Sequence, residues 1–188
     1  MSETWRLFVA IPIGDELRAA LLDAVGGWRS RPDLAGLRWT DPDAWHLTIA
    51  FIGSVAPMAV DDLVAALRHV AAQHHPCALA TGGLGAFPAR ARARVAWYGI
   101  ADADGALGRL ASDVAPAVRV EPAGRFRPHI TLARANDPVD LRRWLSEAVA
   151  PTGRLAIDRL DLMRSHPGRG PASYEGLASV VIGEVGRA

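Results

Sequence analysis

Lysine is missing altogether: all 21 basic side chains of this 188-residue chain are arginine. That excludes a Walker-type phosphate loop, a lysine Schiff base and the adenylylated lysine of an ATP-dependent ligase, because each needs an ε-amino group. Cysteine occurs once, at Cys77, so no internal disulfide can close and no second thiolate can complete a metal site. No tract is long and apolar enough to span a bilayer. The opening Met1-Ser2-Glu3-Thr4-Trp5 lacks the basic-then-apolar layout of a secretory signal. A net charge of +1 is too small for a bulk polyanion binder. The expectation from these absences is a soluble, cytoplasmic, monomeric protein with no membrane attachment.

What is present is ample apolar material, 50% of the residues, in a length suited to one domain (1–188) or two small lobes sharing a core. Arg6-Leu7-Phe8-Val9-Ala10-Ile11 reads as a first strand, and Asp15 reads as the cap of a helix carrying Leu17, Leu21, Val25 and Trp28 near helical spacing. Leu37-Arg38-Trp39-Thr40 leads into a strand from His46 to Gly53, and Pro57 precedes a helix through Val70. Strands are expected from Cys77 to Leu84 and Arg94 to Ile100, with Gly82, Gly83, Gly85 and Phe87-Pro88 read as a loop between them. A helix is expected over 104–118 and a strand after Pro128. Asp137-Pro138 reads as a cap opening a helix to Val149, followed by strands over Leu155–Met163 and Ser173–Val185. Strands joined by short turns favour an α+β fold with antiparallel sheets over a parallel doubly wound one.

Two short words carry the chemistry: His46-Leu47-Thr48-Ile49 and His129-Ile130-Thr131-Leu132. In a strand, side chains alternate faces, so each word buries its aliphatic residues and offers an imidazole and a hydroxyl on the other side. One such word is ordinarily just a core strand. Two, each preceding a predicted helix, suggest a duplicated strand–helix unit and a shared cleft holding two histidines and two threonines.

Two imidazoles with ordinary pKa near 6.5 divide acid and base roles near neutrality. One takes a proton from water attacking a cyclic phosphate, the other protonates the departing ribose oxygen, and threonine hydroxyls and an arginine hold the nonbridging oxygens. Strict alternation puts Arg127 on the face of His129 and Arg134 on the opposite face unless the strand bulges. Arg90, Arg92 and Arg94 form a basic strip beside Phe87, a surface suited to RNA backbone and base stacking. His69, His74 and His75 read as surface residues, and His166 lies in a turn that could approach the cleft. No third ligand accompanies His46 and His129, so no metal and no cofactor is expected.

These residues resemble the 2H phosphoesterases, and within them the RNA 2′,3′-cyclic phosphodiesterases, also called 2′-5′ RNA ligases. The likeness runs from Arg6–Ile11 through Arg38-Trp39, His46–Gly53 and Phe87-Pro88. It continues in Phe126-Arg127-Pro128-His129-Ile130-Thr131-Leu132-Ala133-Arg134 and in Leu162-Met163-Arg164-Ser165 with Gly170 and Tyr174. The resemblance implies a bilobal α+β fold: two antiparallel sheets with pseudo-two-fold symmetry around a central cleft, helices on the outer faces. It implies His46 as proton donor to the 3′ oxygen, His129 as proton acceptor from water, a 2′-phosphate product, and Thr48 and Thr131 holding the phosphate. Arg134 matches the arginine closing the second motif and ranks above Arg127 as a phosphate contact, with Phe87 beside the substrate. The implied partners are RNA ends or nucleotides carrying a 2′,3′-cyclic phosphate, with ATP-independent 2′-5′ ligation as the reverse reaction. Two other readings stay open: a nucleotide-binding 2H module with little turnover, and a phosphodiesterase for a smaller cyclic nucleotide or a 2′-5′ oligoadenylate. Trp45 and Ile52 depart from the usual residues of the family.

Overall fold

The computed structural model describes residues 3–122, 124–166 and 173–184. In chain order they form β1 (Trp5–Pro12), α1 (Asp15–Arg29), β2 (Arg38–Trp39), β3 (His46–Val55), α2 (Val60–Ala71), β4 (Cys77–Phe87), β5 (Ala93–Ile100) and α3 (Ala106–Ala117). Then follow β6 (His129–Val139), α4 (Arg142–Glu147), β7 (Arg154–Ile157), β8 (Arg159–His166) and β9 (Ser173–Val181).

The strands pair antiparallel throughout, in the order β7-β4-β5-β6-β3-β1-β8-β9, with β2 against β6. The expected two sheets are therefore two halves, β9-β8-β1-β3 and β6-β5-β4-β7, meeting edge to edge. A single residue pair, Leu47 opposite Ile130, joins them. Both side chains are fully buried, so apolar packing rather than an extended ladder holds the joint. The sheet also curls. Only Asp158 separates Ile157 at one end of the strand order from Arg159 near the other. Two Cα steps span at most about 8 Å, so the sheet bends back toward itself.

The helices bury apolar stripes and cross between the halves. Leu17 of α1 packs near Gly153, and Trp28 meets Trp39 and Trp144. Helices α2 and α3 pack on each other, α2 also against β8 and β9, and α3 against β3. Leu67, Leu107 and Val114 on these helices are fully buried.

Local expectations failed where tertiary pairing overrode turn chemistry. The glycine-rich stretch after Thr81 is not a loop: β4 continues to Phe87, its ladder with β5 breaking between Thr81 and Leu84, where Gly83 takes φ +86°. Asp137-Pro138 does not cap a helix, because β6 runs on to Val139, which pairs with Ala93. The helix starts only at Arg142, whose N–H donates to Asp140 Oδ1 at 3.0 Å. The run expected as one strand over Leu155–Met163 is cut at Asp158, since β7 pairs with β4 and β8 with β1. The last strand ends at Val181 rather than Val185.

Candidate active site

The two His-Thr words begin β3 and β6, neighbours at the middle of the sheet. Carrying the Leu47–Ile130 register one residue each way sets His46 beside Thr131 and Thr48 beside His129. The words therefore lie side by side and antiparallel, each imidazole next to the other strand's hydroxyl. All four side chains line one cavity of about 260 Å³.

Each word is followed by the same irregularity. Against β1, Val9 pairs with Ala50 and Ala10 with Thr48, leaving Ile49 as an extra residue. Against β5, Ala96 pairs with Ala133 and Trp97 with Thr131, leaving Leu132 extra. Bulges of this kind shift the alternation by one. Ile49 and Ala50 are both buried, as are Leu132 and Ala133. The next residues, Phe51 and Arg134, therefore turn to the cleft and line it. Strict alternation had placed Arg134 on the opposite face; the bulge at Leu132 is what brings it beside the histidines.

Both imidazoles are held in one tautomer. His46 Nδ1 lies 2.7 Å from the carbonyl oxygen of Ala44, and His129 Nδ1 lies 2.7 Å from that of Arg127. A carbonyl only accepts, so each Nδ1 carries hydrogen and each Nε2 is left for the cavity. Aromatic rings fix both planes. His46 stands edge-on to Tyr174 at 5.2 Å and tilted on Phe8 at 4.9 Å. His129 stands edge-on to Phe87 at 5.0 Å, with Trp97 at 6.1 Å. The Trp97 indole in turn occupies space left by Gly85, where an added Cβ would come within 2.1 Å of it.

Burial pushes the His46 pKa below its ordinary value, aided by the charges of Arg134 and His129 and opposed by the Ala44 carbonyl. His129 is lowered by burial and then by Arg134, against the Arg127 carbonyl. Both shifts favour the neutral form of the ring.

Thr40, Trp45 and β6 form a brace. The Thr40 hydroxyl bridges the carbonyl oxygens of Thr131 and Leu132 at 2.9 and 2.8 Å, and accepts from the Trp45 indole N–H at 2.8 Å. The unusual Trp45 thus ties the start of β3 to the bulge of β6.

Arg127 precedes β6. Its guanidinium lies 6.0 Å from the Phe87 ring centroid, and it lines a second groove of about 640 Å³ that shares Thr48, Phe51 and His129 with the first. Phe87 lines that groove too, whereas Arg134 lines the first cavity. Phe51, 72% exposed, lines both spaces. Phe51 was missed in sequence because its inward turn depends on the bulge; Phe8 and Tyr174 were missed as ring contacts because β1 and β9 are distant in sequence. His166 ends β8, 2.8 Å from Glu175, and does not line either space, while the loop at 167–172 falls outside the described residues. Of the basic strip, Arg94 is tied to the Asn136 carbonyl, and neither Arg90 nor Arg92 lines either space. His74 pairs with Asp113 and His69 with Gln73, away from the cavity. Among the described residues, no cluster of three or more His, Cys, Asp or Glu is placed to hold a metal ion, and no helix is long and apolar enough to cross a membrane.

Residues 11–97 match the family described as LigT-like phosphoesterases. The chain is 33% identical over 148 residues to the RNA 2′,3′-cyclic phosphodiesterase of Geobacillus stearothermophilus, covering 75% of this chain but only 43% of that relative. It is 29% identical over 132 residues to the protein of the same name from Archaeoglobus fulgidus, 69% of this chain and 72% of the relative. Escherichia coli LigT in its apo form superposes with a TM-score of 0.73 at 27% identity, over 97% of this chain and all of the other. That protein has also been crystallised with 3′-AMP.

Proposed function

The chain carries a LigT-like phosphoesterase domain of the 2H superfamily, and on that premise we propose that it hydrolyses RNA 2′,3′-cyclic phosphate ends to 2′-phosphomonoesters without a metal. The observation that carries the reading is the matched pair of rings: each Nδ1–H is spent on a carbonyl two residues upstream, and each Nε2 is left for one shared cavity.

In the proposed step, His129 Nε2 takes a proton from water as the water oxygen attacks phosphorus. The bond from phosphorus to the ribose 3′ oxygen breaks, and that oxygen takes a proton from His46 Nε2. The phosphate stays on the 2′ oxygen. Thr48 and Thr131 donate to the nonbridging oxygens, and Arg134 balances the charge that builds there. A bound phosphate anion favours the imidazolium form of the ring beside it, offsetting the burial that holds His46 neutral in the empty cavity. The base rests in the adjoining groove, against Phe51 and Phe87 with Arg127 above, where stacking is tolerant of sequence. The same steps with a ribose 5′ hydroxyl in place of water as the nucleophile, giving its proton to His129, join a cyclic phosphate end to that hydroxyl as a 2′-5′ diester without ATP.

The test offers nucleoside 2′,3′-cyclic phosphates and follows the products by phosphorus NMR, with and without EDTA. The expected result is a 2′-phosphate at an EDTA-independent rate. A 3′-phosphate product reverses the assignment of the leaving oxygen, and tight binding without turnover reduces the protein to a nucleotide-binding module. A substrate with sulfur in place of the 3′ oxygen assigns the acid, since a thiolate leaves without a proton. It restores turnover to His46→Ala and not to His129→Ala.

A further inference from the structure

The cavity holds a second arginine that the proposed chemistry does not use. Arg6 lies on β1, two strands from the strand of Arg134 and opposite Ser54, beyond the far end of the first His-Thr word. Arg6 and Phe8, two residues apart, share the cleft face and both line the cavity. The register extends this row outward: Arg6 pairs with Ser165 of β8, and Ser165 with Tyr174 of β9. All three line the cavity, so a guanidinium and two hydroxyls from adjacent strands are offered to it.

The charge is unbalanced. Among the described residues, no carboxylate lies within ion-pair distance of Arg6 or Arg134. The neighbouring Arg164 shows the contrast. It lies 4.0 Å over the Trp5 ring and close to Glu3 and Glu175, so its charge is satisfied within the protein. An exposed, unpaired arginine beside two hydroxyls at the rim of a phosphate cleft is suited to an anion. A cavity lined by two arginines from different strands, neither paired with a carboxylate among the described residues, is suited to two anionic groups rather than one.

We infer that Arg6, Ser165 and Tyr174 form a second phosphate subsite, which takes the phosphate on the 5′ oxygen of the nucleoside whose cyclic phosphate reacts. This rests on the cyclic phosphodiesterase reading and narrows it: the preferred substrate is the end of a chain, where that phosphate is the preceding diester. A nucleoside 5′-monophosphate carries the same group as a monoester, so the test separates the two sources.

The experiment measures kcat/KM for three substrates: adenosine 2′,3′-cyclic phosphate, its 5′-phosphorylated form, and an adenylyl dinucleotide ending in a cyclic phosphate. The wild-type protein is expected to favour the dinucleotide over the first by about 10- to 100-fold, the range of one charge-assisted contact. Arg6→Met should abolish that preference while turning over adenosine 2′,3′-cyclic phosphate as the wild type does, which also shows that the variant is folded. Ser165→Ala should produce a smaller loss of the same kind. The salt dependence for the dinucleotide should weaken in Arg6→Met by roughly one phosphate contact, a slope change of about 0.7. If only the 5′-monophosphate is favoured, free nucleotides and not chain ends are the occupant, and the chain-end inference falls. If Arg6→Met depresses all three substrates equally, Arg6 acts on the reacting phosphate and the subsite is refuted. Failure of the wild type to hydrolyse any of the three sinks the parent reading instead.

Discussion

The half of the sheet carrying His46 and the half carrying His129 are near copies in backbone and unlike in what they offer a ligand. Both present His-x-Thr on a central strand, lock the imidazole through Nδ1 to a carbonyl two residues upstream, and bulge directly after the word. Both hold the ring against two aromatic side chains. The residue that the bulge turns inward differs: Phe51 in one half, Arg134 in the other. The repeat therefore supplies two equivalent imidazoles to one cavity, and in the proposed reaction the single inequivalent position separates charge stabilisation from base contact. A symmetric site would have two arginines crowding the phosphate or none.

The largest expected effect tests the equivalence. His46→Ala and His129→Ala should each lower kcat by about 10²- to 10⁴-fold, with circular dichroism unchanged. A loss confined to one of them breaks the two-histidine scheme. The inequivalence comes next. Arg134→Ala should cost about 10²–10³ in kcat, whereas Phe51→Ala should raise KM by roughly 10- to 100-fold and spare kcat. Equal kinetic signatures would erase the distinction between the halves.

A third test uses pH. One ring must be charged and the other neutral, so the kcat/KM profile is a bell belonging to the pair. Burial and Arg134 lower both histidines, so the maximum lies below about pH 6.5. Removing Arg134 takes away a positive neighbour, and the residual activity of Arg134→Ala should peak at higher pH. Stability follows the same shifts. Between the depressed folded values and about 6.5, the unfolded chain binds more protons than the folded one, so stability rises with pH through that window. Urea midpoints should show this rise, and it should flatten when both histidines are replaced by alanine. The smallest effect concerns the brace between the halves. Trp45→Phe removes the indole N–H from Thr40 and should cost about 1 kcal/mol, a drop of roughly 2–4 °C in Tm, with modest loss of activity.

Legibility in the sequence varied with the range of the interaction. The words at His46 and His129 were readable because strand alternation acts over two residues, and α1 because its apolar spacing acts within a few turns; its cap is Gly14 rather than the expected Asp15, which is the first helical residue and makes no capping bond. Arg134 was on the wrong face by periodicity, since the extra residue at Leu132 is recognisable only against β5. Gly85 looked like loop chemistry and is a strand position cleared for the Trp97 indole. Asp137-Pro138 looked like a cap and is the tail of a strand, because Ala93 provides a partner.

Local alternation by itself determined which side chains could share a face, and thereby that two imidazoles and two hydroxyls were on offer. The folded chain decided that they share one cavity, which nitrogen of each ring is free, and that Arg134 rather than Arg127 lines that cavity with them. The first is a property of bond geometry over a few residues. The second depends on which distant strands hydrogen-bond and where their registers slip, and apolar packing around Leu47 and Ile130 settles that only when the halves meet.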